Sequence, residues 1–211
     1  VPKAYLNNIN KKETNPVLVS LRSYAEEFNV PVINEEGIKF INQVIKLKGI
    51  KTILEIGTAI GYSSINMALN NDVEITTIER DEGMFNIAKE NIFDNNLENR
   101  ITQIFNDALE VDESTLGSYD LIFIDAAKAQ SIKFFDKYKK NLTKNGVIIT
   151  DNLLFHELVV AEIRERNLKQ LVAKIDRFNK FVVEQDDFDT YIYHLGDGMS
   201  LSIKKDWYVW N

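Results

Sequence analysis

Thr52-Ile53-Leu54-Glu55-Ile56-Gly57-Thr58-Ala59-Ile60-Gly61-Tyr62-Ser63 runs from a short apolar strand, through a turn holding two glycines, into a helix. Residues 52–56 have the texture of a strand covered on both faces, as strands of parallel sheets are. Glycine in the turn lets the backbone approach a ligand that a Cβ would repel. Gly57 and Gly61 are separated by three residues, and a third glycine is absent. The dinucleotide fingerprint needs three, so the turn argues against a pyrophosphate site and a nicotinamide oxidoreductase.

Outward from this turn the same rhythm repeats. Residues 74–78, 101–105, 120–124 and 146–150 are further short apolar runs, with amphipathic patterns between them at 84–93 and 134–142. Strands alternating with helices predict a doubly wound, Rossmann-like α/β fold with parallel pairing. Upstream, Pro16 opens a helical stretch in which Val17, Leu18, Leu21, Tyr24, Ala25 and Phe28 recur at helical spacing. Pro31 interrupts it, and 36–46 carries a second helix through Ile38, Ile41, Val44 and Ile45. Downstream, 190–195 and 199–204 alternate in the strand manner around Gly196-Asp197-Gly198, a hairpin signal that closes the sheet with two antiparallel strands. No repeat, low-complexity tract or linker divides the chain. The expectation is one domain over 1–211 with an N-terminal helical segment at about 16–46 and a seven-stranded sheet.

Composition narrows the function. The 211 residues are 45% hydrophobic and 10% aromatic, which excludes a disordered chain. A chain this long buries roughly 70% of its unfolded surface, so folding needs no metal or disulfide. No apolar run reaches the ~18 residues of a membrane span. No basic-then-apolar leader is present, although the first residue is Val1 rather than Met. Zero cysteines exclude disulfides, thiolate zinc sites and cysteine nucleophiles, and point to a cytoplasmic protein. Two histidines, His156 and His194, are too few for a histidine-rich metal cluster. A formal charge of −7 argues against broad, sequence-blind grip on nucleic acid, but leaves room for a local basic face.

In open α/β sheets, ligands bind beyond the carboxyl ends of the strands, near the first crossover. Glu55 lies just before the glycine turn, suited to hold the loop or accept from an ammonium. Glu79 ends the second strand, where a carboxylate accepts both hydroxyls of an adenosine ribose. Asp107-Ala108 follows the third, where an acid receives the adenine amino group. Three acids at three successive strand ends, beside Gly57 and Gly61, predict an adenosyl cofactor. The fourth strand ends in Asp125 and the fifth in Asp151-Asn152, neighbouring ends in this topology. Three oxygen donors with no sulfur or imidazole suit Mg²⁺, or else Mn²⁺ or Ca²⁺, rather than zinc.

With these residues in place, E-I-G-T-A-I-G-Y-S, I-D-A-A-K and I-T-D-N resemble the metal-dependent O-methyltransferases that include the catechol and caffeoyl-CoA enzymes. The resemblance covers nearly the whole chain and implies the class I methyltransferase fold, whose sheet is five parallel strands and an antiparallel hairpin. Longer phrases, A-E-E-x-x-V-P at 25–31, L-V-A-K-I-D at 171–176 and G-D-G at 196–198, look closest to the bacterial tRNA 5-hydroxyuridine methyltransferases. The resemblance implies S-adenosylmethionine as cofactor. It carries cofactor contacts onto Val32, Glu55, Gly57, Tyr62, Ser63, Glu79, Asp107, Ala108 and Asp125, and metal ligation onto Asp125, Asp151 and Asn152. Lys128 falls where the catechol enzymes carry their catalytic lysine, so Lys128 and Asp125 are the catalytic expectation. Relatives imply a homodimer; residues 207–211 match nothing in the family.

Methyl transfer from a sulfonium needs a deprotonated oxygen held in line. A divalent cation chelating two adjacent substrate oxygens lowers the pKa of the hydroxyl between them. Catechol and 5-hydroxyuridine share that vicinal geometry, so chemistry alone does not choose between them. The choice rests on residues 159–183. Leu168, Leu171, Val172, Ile175, Phe178 and Val182 make one apolar stripe, with Arg166, Lys169, Arg177 and Lys180 on the opposite face. The face is either a solvated one on a docked helix or a phosphate-tracking one on an acidic protein, and the latter favours the tRNA anticodon loop and formation of 5-methoxyuridine at the wobble position. The alternatives are a small catechol-like or CoA-linked phenol as substrate, or a non-catalytic adenosyl-binding module.

Overall fold

The computed structural model describes residues 2–126, 128–155, 158–160 and 165–205. His156, part of the expected 159–183 helix and residues 207–211 lie outside them. The chain begins with helix α1 (Pro2–Ile9), which the Asn-rich opening does not announce, followed by α2 (Pro16–Glu27) and α3 (Glu35–Lys48). Asn15 caps α2 by accepting from Val17 N at 3.0 Å, with Pro16 preset in the first turn. Asn34 does the same for α3 at Gly37 N, 2.9 Å away. Glu35 and Glu36 stand at that helix's positive end and Lys46 and Lys48 at its negative end, before Gly49 (φ +65°) stops it.

The remainder alternates as expected: β1 (Thr52–Ile56), α4 (Tyr62–Asn70), β2 (Glu74–Glu79), α5 (Glu82–Asp94), β3 (Ile101–Phe105), β4 (Tyr119–Ile124), α6 (Ser131–Tyr138), β5 (Leu142–Asp151), α7 (Arg166–Val183), β6 (Phe188–Tyr193) and β7 (Met199–Lys204). The sheet order is β3-β2-β1-β4-β5-β7-β6, with β1 to β5 parallel and β7 antiparallel between β5 and β6. The chain leaves β1 toward β2 on one side and returns to β4 on the other, which creates the crevice where ligands of such sheets bind.

Successive strand residues point to opposite layers. Ile53, Leu121, Phe123, Val147 and Ile149 face α2, α3 and α4, while Leu54, Ile122, Ile124 and Ile148 face α6 and α7. In the second layer Phe135 meets Phe178, Phe181 and Phe188 edge-on, at 6.5, 5.7 and 5.1 Å between ring centroids. α7 buries Val172, Ile175, Phe178 and Val182, leaves Leu168 and Leu171 half-buried, and keeps Arg166, Lys169, Arg177 and Lys180 exposed.

Several boundaries differ from the expected ones, among them that of β5, which starts at Leu142 rather than at 146. The 134–142 helix ends at Tyr138 and tightens into a 3₁₀ turn, Lys139–Asn141. Asn141 donates to the Glu113 and Gly117 carbonyls (2.9 and 3.0 Å), and Leu142 already pairs with Tyr119 as the start of β5. Among the described residues, regular helix begins at Arg166, and Leu158–Val160 form a 3₁₀ turn. The first hairpin strand sits two residues earlier than predicted, because His194 to Gly198 form the tip and Phe188 is buried at its start. No described helix is long and apolar enough to cross a membrane.

Candidate active site

The parallel pairing of β1 extends one step past its end: Gly57 N donates to Ile78 O and Asp125 N to Ile56 O, both at 3.0 Å. Gly57 has φ +101°, and a Cβ there would stand 2.2 Å from the carbonyl oxygen of Asp125. Only glycine fits this approach. Gly61 (φ +83°) then caps α4, and Tyr62 opens that helix.

A cleft of about 560 Å³ lies over this turn, at the carboxyl ends of β1, β2 and β4. Gly57, Glu79, Asp107, Ala108, Asp125 and Asn152 all line it. Glu79 is held by three backbone N–H groups: Oε2 accepts from Ala59 at 2.9 Å, and Oε1 from Arg80 and Asp81, each at 2.9 Å. Asp107 accepts from Leu109 N at 2.8 Å and pairs with Arg80 Nη1 at 3.4 Å. Ala108 is fixed from behind by Tyr138, whose hydroxyl donates to its carbonyl at 2.5 Å.

Four of the expected cofactor residues stand elsewhere. Glu55 is fully buried behind the turn, where Ser63 (2.5 Å), Ser64 and Thr77 (2.6 Å) all donate to its carboxylate. Burial pushes its pKa up to about 7 against the pull of those hydroxyls, and the nearby Asp125 charge adds to the rise. Ser63 is therefore spoken for by Glu55. Tyr62 is buried and its hydroxyl accepts from Arg22. Val32 packs half-buried on the inner layer, while its neighbour Pro31 lines the cleft.

At the other end, Asn152 Nδ2 donates to Asp125 Oδ1 at 2.9 Å, and Asn152 N to Asp151 Oδ1 at 2.7 Å. Asn152 itself is left-handed, φ +69°. Leu153 N and Leu154 N are pinned to the carbonyls of Gly198 (2.9 Å) and Asp197 (2.7 Å) at the hairpin tip. Among the described residues, no three His, Cys, Asp or Glu side chains form a metal cluster. Two carboxylates and one carboxamide at adjoining strand ends nonetheless make an all-oxygen donor set that fits a hard divalent cation. Lys128 opens a 3₁₀ turn, Lys128–Gln130, between β4 and α6, and that turn packs against α7.

The profile of the family described as O-methyltransferase matches residues 10–205. The chain belongs to the O-methyltransferase family. A Staphylococcus aureus protein assigned as a caffeoyl-CoA O-methyltransferase is 40% identical, with a TM-score of 0.91 over 97% of this chain and 99% of its own. The catechol O-methyltransferase of Niastella koreensis is 29% identical over 95% of each chain. The SAH-bound methyltransferase of Podospora anserina shares the fold, with a TM-score of 0.85 at 22% identity over 97% of this chain and 94% of that one. This O-methyltransferase is thus an S-adenosylmethionine-dependent enzyme, and the reading as a non-catalytic module falls.

Sequence reasoning missed several residues of the O-methyltransferase cleft. Pro31, Arg80, Phe134 and Leu171 line it. Arg80 carried a signal, since it directly follows the strand-ending Glu79. Leu171 stands in the apolar stripe and opens the L-V-A-K-I-D phrase, and which turn of a stripe reaches a site depends on how the helix is docked.

Proposed function

We propose that the enzyme methylates the 5-hydroxyl of 5-hydroxyuridine at the tRNA wobble position, giving 5-methoxyuridine with a divalent cation's assistance. The observation that supports this is α7. Arg166, Lys169 and Arg177 are exposed and form no ion pair among the described residues, whereas Lys180 is paired with Asp176 at 2.7 Å. The same helix contributes Leu171 to the cleft. These cations lie on the face of α7 opposite Leu171, and on a protein of net charge −7 such a face suits an acceptor carried on a phosphate backbone.

In this reading Glu79 accepts the ribose hydroxyls, its carboxylate held in place beforehand by three N–H groups. Asp107 and Ala108 meet adenine, and Gly57 allows close passage of the methionine portion beside Asp125. S-adenosylmethionine supplies the methyl group, which the acceptor oxygen takes as the carbon–sulfur bond breaks. Asp125, Asp151 and Asn152 would hold Mg²⁺, or Mn²⁺ or Ca²⁺, which lowers the pKa of a chelated hydroxyl. Lys128 is the proposed base that removes the acceptor proton, a role worth roughly 10²–10⁴-fold. A cytoplasmic location and a homodimer belong to the same reading, with the exposed Val19 on α2 and Phe28 at its end as the dimer's apolar surface.

A second reading, transfer to a small catechol-like or CoA-linked phenol, is favoured by the names of the relatives. Labelled S-adenosylmethionine and Mg²⁺ offered to tRNA bearing 5-hydroxyuridine and to catechol, with and without chelator, separates the two. Label at the wobble uridine supports the first reading; label in catechol alone replaces it by the second.

A further inference from the structure

We propose that Arg22 is a positioning residue for binding of the methyl donor. From α2 it clamps one wall of the cleft to the first turn of the helix behind the glycine loop. It is placed outside every motif from which the site was read, and its side chain joins three separate elements. Nη2 donates to the Ile33 carbonyl at 3.0 Å and to the Tyr62 hydroxyl at 2.6 Å. The guanidinium carbon stands 4.6 Å from the centroid of the Tyr62 ring.

Each end of this clamp touches the cleft through a near neighbour. Pro31, two residues before Ile33, lines the cavity, and so do Gly57 and Ala59 in the loop that leads to Tyr62. Ile33 is buried in the core and Val30 and Val32 pack against it, while the backbone of the segment is held by two hydrogen bonds. Val30 N donates to Ala25 O at 2.8 Å, which fixes its start to α2. The Arg22 bond to Ile33 O fixes its end to the same helix. Between these two ties lies Pro31, which has no N–H to make another. On the opposite side, the Tyr62 ring is 1% exposed, so its hydroxyl depends on a protein partner, and Arg22 is that partner.

Arginine suits the role because one planar group serves a carbonyl, a phenol and an aromatic face together. Without it, the polar tie between the Pro31 wall and the helix behind the glycine loop is lost, and only the packing of Ile33 and Tyr62 in one core holds the two together. The donor then meets a cavity whose walls are less firmly set against each other, and binding must supply that ordering.

The inference rests on the cleft being the methyl-donor site, so Glu79→Ala is run beside it as a report on the cleft itself. Calorimetric titration of S-adenosylhomocysteine is compared in the wild type, Arg22→Met, Tyr62→Phe and the double variant, with melting curves taken without ligand. Arg22→Met is expected to weaken binding by about ten-fold, the scale of one charge-assisted hydrogen bond. Tyr62→Phe should weaken it less, and the double variant no more than Arg22→Met, because both act through one contact. Arg22→Lys retains a donor for Ile33 and should recover part of the affinity; should Arg22→Met not fold, Arg22→Lys and Tyr62→Phe carry the comparison. Affinities within two-fold of wild type in the Arg22 variants, beside a loss in Glu79→Ala, overturn the role of Arg22. Unchanged affinity in both overturns the cleft assignment on which it stands.

Discussion

Asn152 Nδ2 and Asp125 Oδ1 stand 2.9 Å apart, a hydrogen bond that joins the carboxyl end of β5 to that of β4. It brings together residues 27 positions apart in sequence. Both line the same cleft as Glu79 and Asp107, so the proposed donor-holding end and the proposed reactive end share one cavity. Each of the following expectations depends on one part of that arrangement.

Glu79→Ala removes the acceptor of three backbone N–H groups as well as the proposed ribose contact. Affinity for S-adenosylhomocysteine is predicted to fall by at least about ten-fold. Glu79→Gln, which keeps an oxygen acceptor, should lose less. Retained affinity in Glu79→Ala, where Arg22→Met weakens binding, would show that the carboxylate only organises the loop.

Glu55 ties stability to pH. Its ordinary value is 4.5 and burial lifts it to about 7 in the folded protein. Between those values the folded state binds the extra proton, so Glu55 favours folding at acid pH and that contribution disappears as pH rises through 7. Glu55→Gln cannot ionise. The difference in Tm, wild type minus Glu55→Gln, is therefore predicted to decrease from pH 5 to pH 8. Parallel Tm curves across that range would contradict it.

Gly198→Ala places a Cβ 2.5 Å from Leu154 Cγ and 2.8 Å from Leu154 N, at φ +86°. The cost is about 1–3 kcal/mol, read as a Tm lowered by several degrees. Because Leu153 and Leu154 hang from the hairpin tip just after Asn152, turnover should fall more than S-adenosylhomocysteine affinity. Equal losses in both would mean the tip merely supports the fold.

Reversing Arg166, Lys169 and Arg177 to Glu on α7 is predicted to weaken tRNA binding by at least about ten-fold and reduce its salt slope by about two. Affinity for S-adenosylhomocysteine should stay within two-fold. Methylation of tRNA that survives the reversal intact would make this face solely a solvated one.

Much of the fold was legible because strand burial leaves a blunt signal. Thr52–Ile56 and Ile101–Phe105 end where their apolar runs end. The hairpin was legible from its glycines, and the switch point from the order of elements. What escaped was local competition: Asn141 draws the chain out of α6 early, and no pattern in residues 139–142 announces that. In the site, residues at strand ends were readable because topology alone brings Glu79, Asp107, Asp125 and Asn152 together. Glu55 and Ser63 show the converse. The motif shows where they stand in the chain, but their side chains turn to each other, because Ser63, Ser64 and Thr77 from α4 and β2 all donate to the Glu55 carboxylate. Arg22 was invisible for a related reason, since its partners at 33 and 62 meet only after the helices pack.

The most direct test of metal-assisted transfer is the rate of label transfer from S-adenosylmethionine to 5-hydroxyuridine tRNA, in the wild type and in Asp151→Ala, with and without chelator. S-adenosylhomocysteine affinity, measured alongside, checks that the variant's cleft is intact. The predicted result is wild-type transfer that chelator abolishes and Mg²⁺ restores, with Asp151→Ala inactive while still binding S-adenosylhomocysteine. A wild type indifferent to chelator, together with an active Asp151→Ala, would contradict the assignment of Asp125, Asp151 and Asn152.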